Sequence, residues 1–398
     1  MDERNGTKIM AKPTKKITNP FKPSAGHLPP VLIGRDIILD DFREALNDGS
    51  GAPGRLMRVT GARGVGKTVI LAEFRRIANE YGWQTISETA SAGMAQRLLD
   101  GLRDGKGNFS LSFEPALSVM GVGGSLGGAR YEKAHTMPLT LREALGARLD
   151  DLERRNAGLL VTIDEAQAAD RDDMVAIATA VQHLTSDDRN IAFVFAGLPS
   201  MTSKWLNDEV MTFLRRAQPE RLGDVPLTDV AQAFAETFRD GGVTLAGEAL
   251  DIAVKATAGY PFMIQLVGYH VWRTAVRNHS ADMNHGIEVT PADAESGARD
   301  ALARLGDTVH EPELDGLSPV DKTYLLAMAQ DDGPSSTSTV AERMGKDVKY
   351  AGIYRMRLIE AQVIRDCGYG RVDFAIPYLR EYLREHAAYI RLSAGLSE

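Results

Sequence analysis

The chain has 398 residues, room at about 150 per domain for two or three units that each bury a core. Hydrophobic residues are 43% and charged residues 25%, which excludes wholesale disorder, and the single cysteine, Cys367, excludes a disulfide framework or a multi-cysteine zinc site and fits a reducing cytoplasm. The net charge is −8, from 46 basic and 54 acidic residues, so a uniformly basic nucleic-acid binder is excluded while a local basic patch is not; no apolar run approaches the ~18 residues of a membrane span.

Residues 1–30 carry Arg4, Lys8, Lys12, Lys15, Lys16 and Lys22 against Asp2 and Glu3, a local +4, and read as a flexible basic arm, either simply solvated or touching phosphates. From 31 to 225 short apolar runs at Leu56–Thr60, Trp83–Ser87, Leu159–Ile163 and Ile191–Ala196 alternate with helical patterns. That alternation predicts an α/β unit with a parallel sheet covered by helices on both faces. The interval between Ser87 and Leu159 is too long for a plain crossover. It holds Phe109-Ser-Leu-Ser-Phe113, which alternates like a strand, and a Gly-rich stretch from Gly121 to Gly128, together expected as a surface hairpin and mobile loop.

Residues 226–305 read as helical. Thr228 and Asp229 suit a helix start, Gly259 a helix end, Pro261 the first position of the next helix, and Thr290-Pro291 another start. Residues 306–317 read as a linker. Residues 318–398 then give helices at Pro319–Ala329, Val340–Met344 and Val348–Ala361, two short strands and a terminal helix from Pro377, the pattern of a winged-helix domain.

Gly61-Ala62-Arg63-Gly64-Val65-Gly66-Lys67-Thr68 matches G-x-x-x-x-G-K-[ST] at every fixed position, after a predicted strand and at the start of a helix running from Val69. The glycines let the loop aim backbone N–H groups at phosphates, reinforced by the helix N-terminus, while Lys67 neutralises phosphate charge and the Thr68 hydroxyl ligates Mg²⁺. About a hundred residues on, the apolar run Leu159–Ile163 delivers Asp164 and Glu165 at a strand's carboxyl end. There Asp164 suits Mg²⁺ held through water, and Glu165 suits the base that orients and deprotonates an attacking water.

The phosphate loop and the Asp164-Glu165 pair resemble those of the AAA+ and STAND branches of P-loop ATPases. Pro30-Val31-Leu32-Ile33-Gly34-Arg35-Asp36 resembles the segment lining the adenine site in origin-initiator-like and STAND members, and Gly259-Tyr260-Pro261 resembles the G-x-P of the STAND helical lid. The resemblance runs from about residue 30 to 385. It implies a P-loop core, a helical lid and a winged helix, with ATP and Mg²⁺ as ligands and Leu32, Ile33, Gly34, Arg35, Val69, Gly259 and Pro261 around the nucleotide. Such ATPases usually carry a polar sensor at the end of the strand after the acidic pair; here that strand runs into Gly197-Leu-Pro-Ser200, with no Asn or Thr. Arg215 and Arg216 follow a predicted helix, Trp205–Leu214, where an arginine finger would act across a homo-oligomer interface, or they form an ordinary solvated pair. Arg273 is the candidate second sensor.

In the C-terminal unit, Lys346, Lys349, Arg355, Arg357, Arg365 and Arg371 stand against Asp347, Glu360 and Asp366, a local +3. Lys349, Arg355 and Arg357 on the third helix and Arg371 beside a Gly368-Tyr-Gly370 tip are the candidate DNA contacts; a protein-docking role for the same unit stays open. The expectation is a Mg²⁺-dependent ATPase switch, binding ATP and ADP, that is DNA-associated or acts on a protein partner, with no membrane contact.

Overall fold

The structure is a computed structural model that describes residues 18–24, 32–103, 109–111, 127–201, 205, 211–279 and 286–393, with the backbone alone at 109–111 and 127–139. Six parallel strands form one sheet: β1 (Leu56–Thr60), β2 (Gln84–Thr89), β3 (Phe109–Leu111), β4 (Leu159–Asp164), β5 (Ile191–Gly197) and β6 (Gln218–Arg221), in the order β3-β2-β4-β5-β1-β6. All seven residues of β5 and the first five of β4 are buried, as helices on both faces require of central strands. One face packs on α1 (Asp36–Asp48) and α2 (Lys67–Glu80), with Ile70, Leu71, Phe74, Ile77 and Ala78 forming the inward stripe of α2. The other face packs on α3 (Met94–Arg103), α4 (Gly127–Glu153) and α5 (Arg171–Ser186), where Leu141, Leu145, Leu149 and Leu152 are buried.

The expected hairpin in the insertion is corrected here. Phe109–Leu111 pairs parallel with β2, Ile86 opposite Phe109, as the edge strand of the main sheet. An alternating pattern identifies a strand but names neither its partner nor its direction. Gly127 and Gly128 open α4 rather than a loop, and residues 112–126 lie outside the described residues.

The next four helices are α6 (Leu227–Asp240), α7 (Gly247–Thr257), α8 (Pro261–Asn278) and α9 (Pro291–Leu305), with a two-stranded parallel pair, β7 (Val243–Thr244) and β8 (Ile287–Glu288). Their core is continuous with the α1/α2 side of the sheet, through Val230, Phe234, Phe238 and Trp272. The helix start expected at Thr290-Pro291 is there, and Thr290 caps α9 in a reciprocal capping box with Asp293. Thr228 does not cap α6; the cap position is Pro226. At Gly259 (φ +72) a Cβ would lie 2.4 Å from the Val225 carbonyl oxygen, and Val225 N–H donates to the Gly259 carbonyl at 2.7 Å. Glycine is required there because two backbones cross where the sheet unit meets the four helices that follow it.

Residues 306–317, expected as a linker, are largely helical: a π-turn over Gly306–His310 and α10 (Glu311–Asp315). Leu314 is buried in the C-terminal core, so this segment belongs to the unit that follows. That unit comprises α11 (Pro319–Met328), β9 (Ser335–Ser336), α12 (Thr337–Arg343), α13 (Val348–Glu360), β10 (Ile364–Asp366), β11 (Arg371–Phe374), α14 (Leu379–Glu385) and α15 (Ala387–Ser393). Its three strands form an antiparallel sheet in the order β10-β11-β9. The single expected terminal helix is two short ones. No helix among the described residues is long and apolar enough to cross a membrane.

Part of the expected N-terminal arm is docked rather than free. Phe21 is buried against Phe234 and Phe238, the Asn19 side-chain amide donates to the Tyr269 carbonyl at 3.0 Å, and Lys22 N–H donates to the Gln265 side chain at 3.2 Å. Arg4, Lys8, Lys12, Lys15 and Lys16 lie outside the described residues.

Candidate nucleotide site

The loop between β1 and α2 is shaped by its glycines. Gly64 (φ +74) and Gly66 (φ +95) occupy left-handed conformations, and Gly66 stands at the N-terminal cap of α2, whose first amides are left free for an anion. Gly61 is needed for a different reason: a Cβ there would lie 2.7 Å from the Leu222 carbonyl oxygen. Lys67 is buried, and its ammonium donates to the Gly61 and Ala62 carbonyls at 3.0 and 2.8 Å. Burial lowers its pKa, opposed by the nearby carboxylates of Glu165 and Asp164.

Strand order brings the second half of the site alongside. β5 lies between β1 and β4, and Thr68 Oγ1 reaches across to donate to Asp164 Oδ2 at 2.6 Å. The paired oxygens of Thr68 and Asp164 are hard donors of the kind Mg²⁺ prefers. Immediately after β4 the chain turns sharply at Glu165, whose backbone is left-handed (φ 52, ψ 36), and a 3₁₀ turn over Ala166–Ala168 follows. This turn is fixed by Trp205, whose indole N–H donates to the Ala166 carbonyl at 2.8 Å.

A cavity of about 1160 Å³ opens over the loop. Leu32, Ile33, Arg35, the loop from Arg63 to Val69, Glu165 and Pro261 all line it, so most of the sequence-predicted binding residues converge. Arg35 donates to the Gly223 carbonyl at 2.5 Å, and burial lowers its pKa. Gly34, Gly61, Ala62 and Gly259 support the wall without lining it. Arg273 also lines the cavity, bonded to Asp300 at 3.3 Å and beside His270. Arg215 and Arg216 are exposed in a 3₁₀ helix, Thr212–Arg216, away from this cavity; of the expected helix before them, residues 206–210 lie outside the described residues.

Several contributors were invisible in the sequence. Tyr260, the central residue of Gly259-Tyr260-Pro261, places its hydroxyl on the Arg63 carbonyl at 2.8 Å. Its ring fits so closely that a Cβ on Gly64 would lie 1.9 Å from the hydroxyl. Arg63 in turn pairs with Glu313 of α10 at 2.5 Å. The docked segment contributes Lys22, Pro23 and Ser24 to the rim. A further contact ties the C-terminal unit inward: Tyr378 donates to the Ala256 carbonyl at 3.0 Å. Burial raises the Asp224 carboxyl pKa, opposed by the charges of Arg365 and Arg35.

In the C-terminal unit, Arg355 pairs with Asp366 at 2.6 Å, Arg357 with the buried Asp321 at 3.2 Å, and Arg371 donates to the Pro334 carbonyl at 3.1 Å. Lys349 is exposed on α13, as are the apolar side chains of Val348, Ile353 and Met356. Tyr369, between β10 and β11, is fully exposed.

Residues 31–194 match a family described as an AAA ATPase domain, and residues 307–383 match a domain of unknown function, DUF8462. No curated protein matches the chain. Among solved structures, a Walker-type ATPase of Pyrococcus abyssi is similar at 15% identity and TM-score 0.59, over 89% of this chain and 96% of that one. The ORC2 protein of Aeropyrum pernix, in ADPNP-ADP complexes, is similar at 13% identity and TM-score 0.59, over 94% and 98%. At these identities the likeness is one of fold, and it extends well beyond the 31–194 match.

Proposed function

We propose that this P-loop AAA+ ATPase is a nucleotide switch: ATP with Mg²⁺ binds between sheet and lid, and its hydrolysis resets a C-terminal winged helix that contacts duplex DNA. The loop amides and Lys67 hold the β- and γ-phosphates, and Leu32, Ile33 and Arg35 face the base with Pro261 on the lid side, while Gly34 and Gly259 shape the wall behind them. Thr68 and Asp164 would hold Mg²⁺, which would neutralise phosphate charge during hydrolysis. Glu165 takes the proton from the attacking water as its oxygen bonds to the γ-phosphorus and the bond to the β-phosphate oxygen breaks, releasing ADP and phosphate. Arg215 or Arg216 serves as a finger in a neighbouring copy of a homo-oligomer.

One observation carries the switch reading. A single loop residue, Arg63, is held by the lid through its carbonyl and by the C-terminal unit through its guanidinium. A change at the phosphates therefore reaches both units through one residue. The element order of the C-terminal unit, helix–strand–helix–helix–ribbon, supports the winged-helix reading. The test is duplex-DNA binding by the Glu165→Gln protein with ATP and then with ADP, at two salt concentrations. ATP-dependent binding that weakens with salt is expected, with Lys349→Ala weakening it further and Arg355, Arg357 and Arg371 acting only after leaving their present partners. Binding in neither state, with ATP retention confirmed, overturns the DNA reading. The exposed Val348, Ile353 and Met356 favour a second reading, in which α13 docks on a protein partner; salt-insensitive partner binding with no DNA effect on turnover distinguishes it.

A further inference from the structure

The carboxyl end of β5 is a gap in the chemistry of the site. β5 lies between β1 and β4, with Gly197 opposite Thr60 at the end of β1 and Phe195 opposite Ile163 of β4. The strand end flanked by the phosphate loop and the acidic pair thus carries no side chain. The space is filled from elsewhere: a Cβ on Gly197 would lie 2.4 Å from Gln167 Oε1.

Gln167 is oriented there by its partners. Its Oε1 accepts from Leu198 N–H at 3.0 Å, and its Nε2 donates to Glu165 Oε2. The amide cannot be reversed, because Leu198 N–H only donates and a carboxylate only accepts. Its backbone sits in the 3₁₀ turn pinned by Trp205, so both ends of the side chain rest on fixed elements. Glu165, itself in a left-handed backbone conformation, lines the cavity.

We infer that Gln167 is a positioning residue for hydrolysis: its amide bridges the end of β5 to Glu165 and aims the carboxylate at the attacking water. One carboxylate oxygen is held by Gln167, and the other is left for that water. This inference rests on the reading of Glu165 as the base, and the experiment separates the two.

ATP affinity and single-turnover hydrolysis are measured for the wild type, Gln167→Ala, Gln167→Glu, Glu165→Gln and the double variant Glu165→Gln/Gln167→Ala. Gln167→Ala is expected to slow hydrolysis about tenfold with ATP affinity within about twofold, a fraction of the 10²–10⁴ that a general base supplies. Gln167→Glu keeps the shape and the acceptor for Leu198 N–H but presents a carboxylate to Glu165, so it should be slower than Gln167→Ala. A role in packing alone would rank the isostere first. In the Glu165→Gln background, Gln167→Ala should add nothing, since its effect passes through the carboxylate. Unchanged hydrolysis in Gln167→Ala, a full additional tenfold loss in the double variant, or Gln167→Glu faster than Gln167→Ala overturns the inference while leaving Glu165 as the base. Wild-type hydrolysis by Glu165→Gln overturns the reading of Glu165 itself.

Discussion

Replacing Glu313 with Gln isolates the coupling between the phosphate loop and the C-terminal unit. Arg63 and Glu313 meet at 2.5 Å, with side chains 60% and 12% exposed. With one partner largely in water, the pair is worth about 0.3–1 kcal/mol, not the several of a sealed ion pair. If Arg63 turns from Glu313 to the γ-phosphate when ATP binds, that energy opposes binding, and Glu313→Gln removes it. ATP affinity should then rise about two- to fivefold, and ADP affinity less, because ADP lacks the group that draws Arg63 away. The gain should shrink as salt screens the pair in the wild type. Titrating a fluorescent ATP analogue into the wild type, Arg63→Ala, Glu313→Gln and the double variant completes a cycle, in which Glu313→Gln has no effect once Arg63 is gone. Equal ATP affinity in Glu313→Gln and wild type, or the same rise with Arg63 absent, would refute the reasoning.

Lys67→Ala should lower nucleotide affinity at least about a hundredfold, since charge-assisted bonds to phosphate are worth ~1.5–3 kcal/mol each; Glu165→Gln should retain ATP while turnover falls by about 10²–10⁴, both read by calorimetric titration and phosphate release. Gly61→Ala drives a methyl group toward the Leu222 carbonyl and should destabilise the protein by about 1–3 kcal/mol, seen as a lower Tm, with loss of nucleotide binding where the loop gives way instead. Burial lowers the pKa of His310, whose ring N–H donates to the Pro377 carbonyl at 2.9 Å. The unfolded chain then binds a proton that the folded chain resists, so this contribution to stability is intact above pH ~6.5 and is lost as pH falls below it. The drop in urea midpoint between pH 7.5 and 5.5 should be smaller in His310→Gln than in the wild type, and an equal drop would count against the assignment.

What was legible in the sequence had local causes. β4 and β5 announced themselves because a strand buried on both faces must be continuously apolar, and the phosphate loop because its glycines, Lys67 and Thr68 act within eight consecutive positions. What escaped depends on contacts distant in the chain. Gln167 looks like any polar residue in a turn until Leu198, 31 residues later, folds against it. Arg63 and Glu313 are 250 positions apart, and neither has a pattern that names the other. Phe21 was hidden in a run of Lys, Pro and polar residues, where one aromatic side chain, enough to anchor a segment, does not register as a periodicity. The gap at Gly197 was visible as a missing side chain, but the residue that fills it was not.

The docked segment has a consequence for how the protein assembles. Asn19 and Tyr269 are 250 positions apart, yet their bond helps seat the residues that rim the nucleotide cavity. During synthesis the segment emerges early and has nothing to dock on until α8 has been made and folded. The cavity is therefore completed by a seam between early and late parts of the chain, closed after the sheet and loop are in place. Such long-range closures are slow to form and early to open. Hydrogen exchange should find the amides of Phe21 and Lys22 opening more readily than those of β4 and β5, so that the rim yields while the sheet beneath it remains intact.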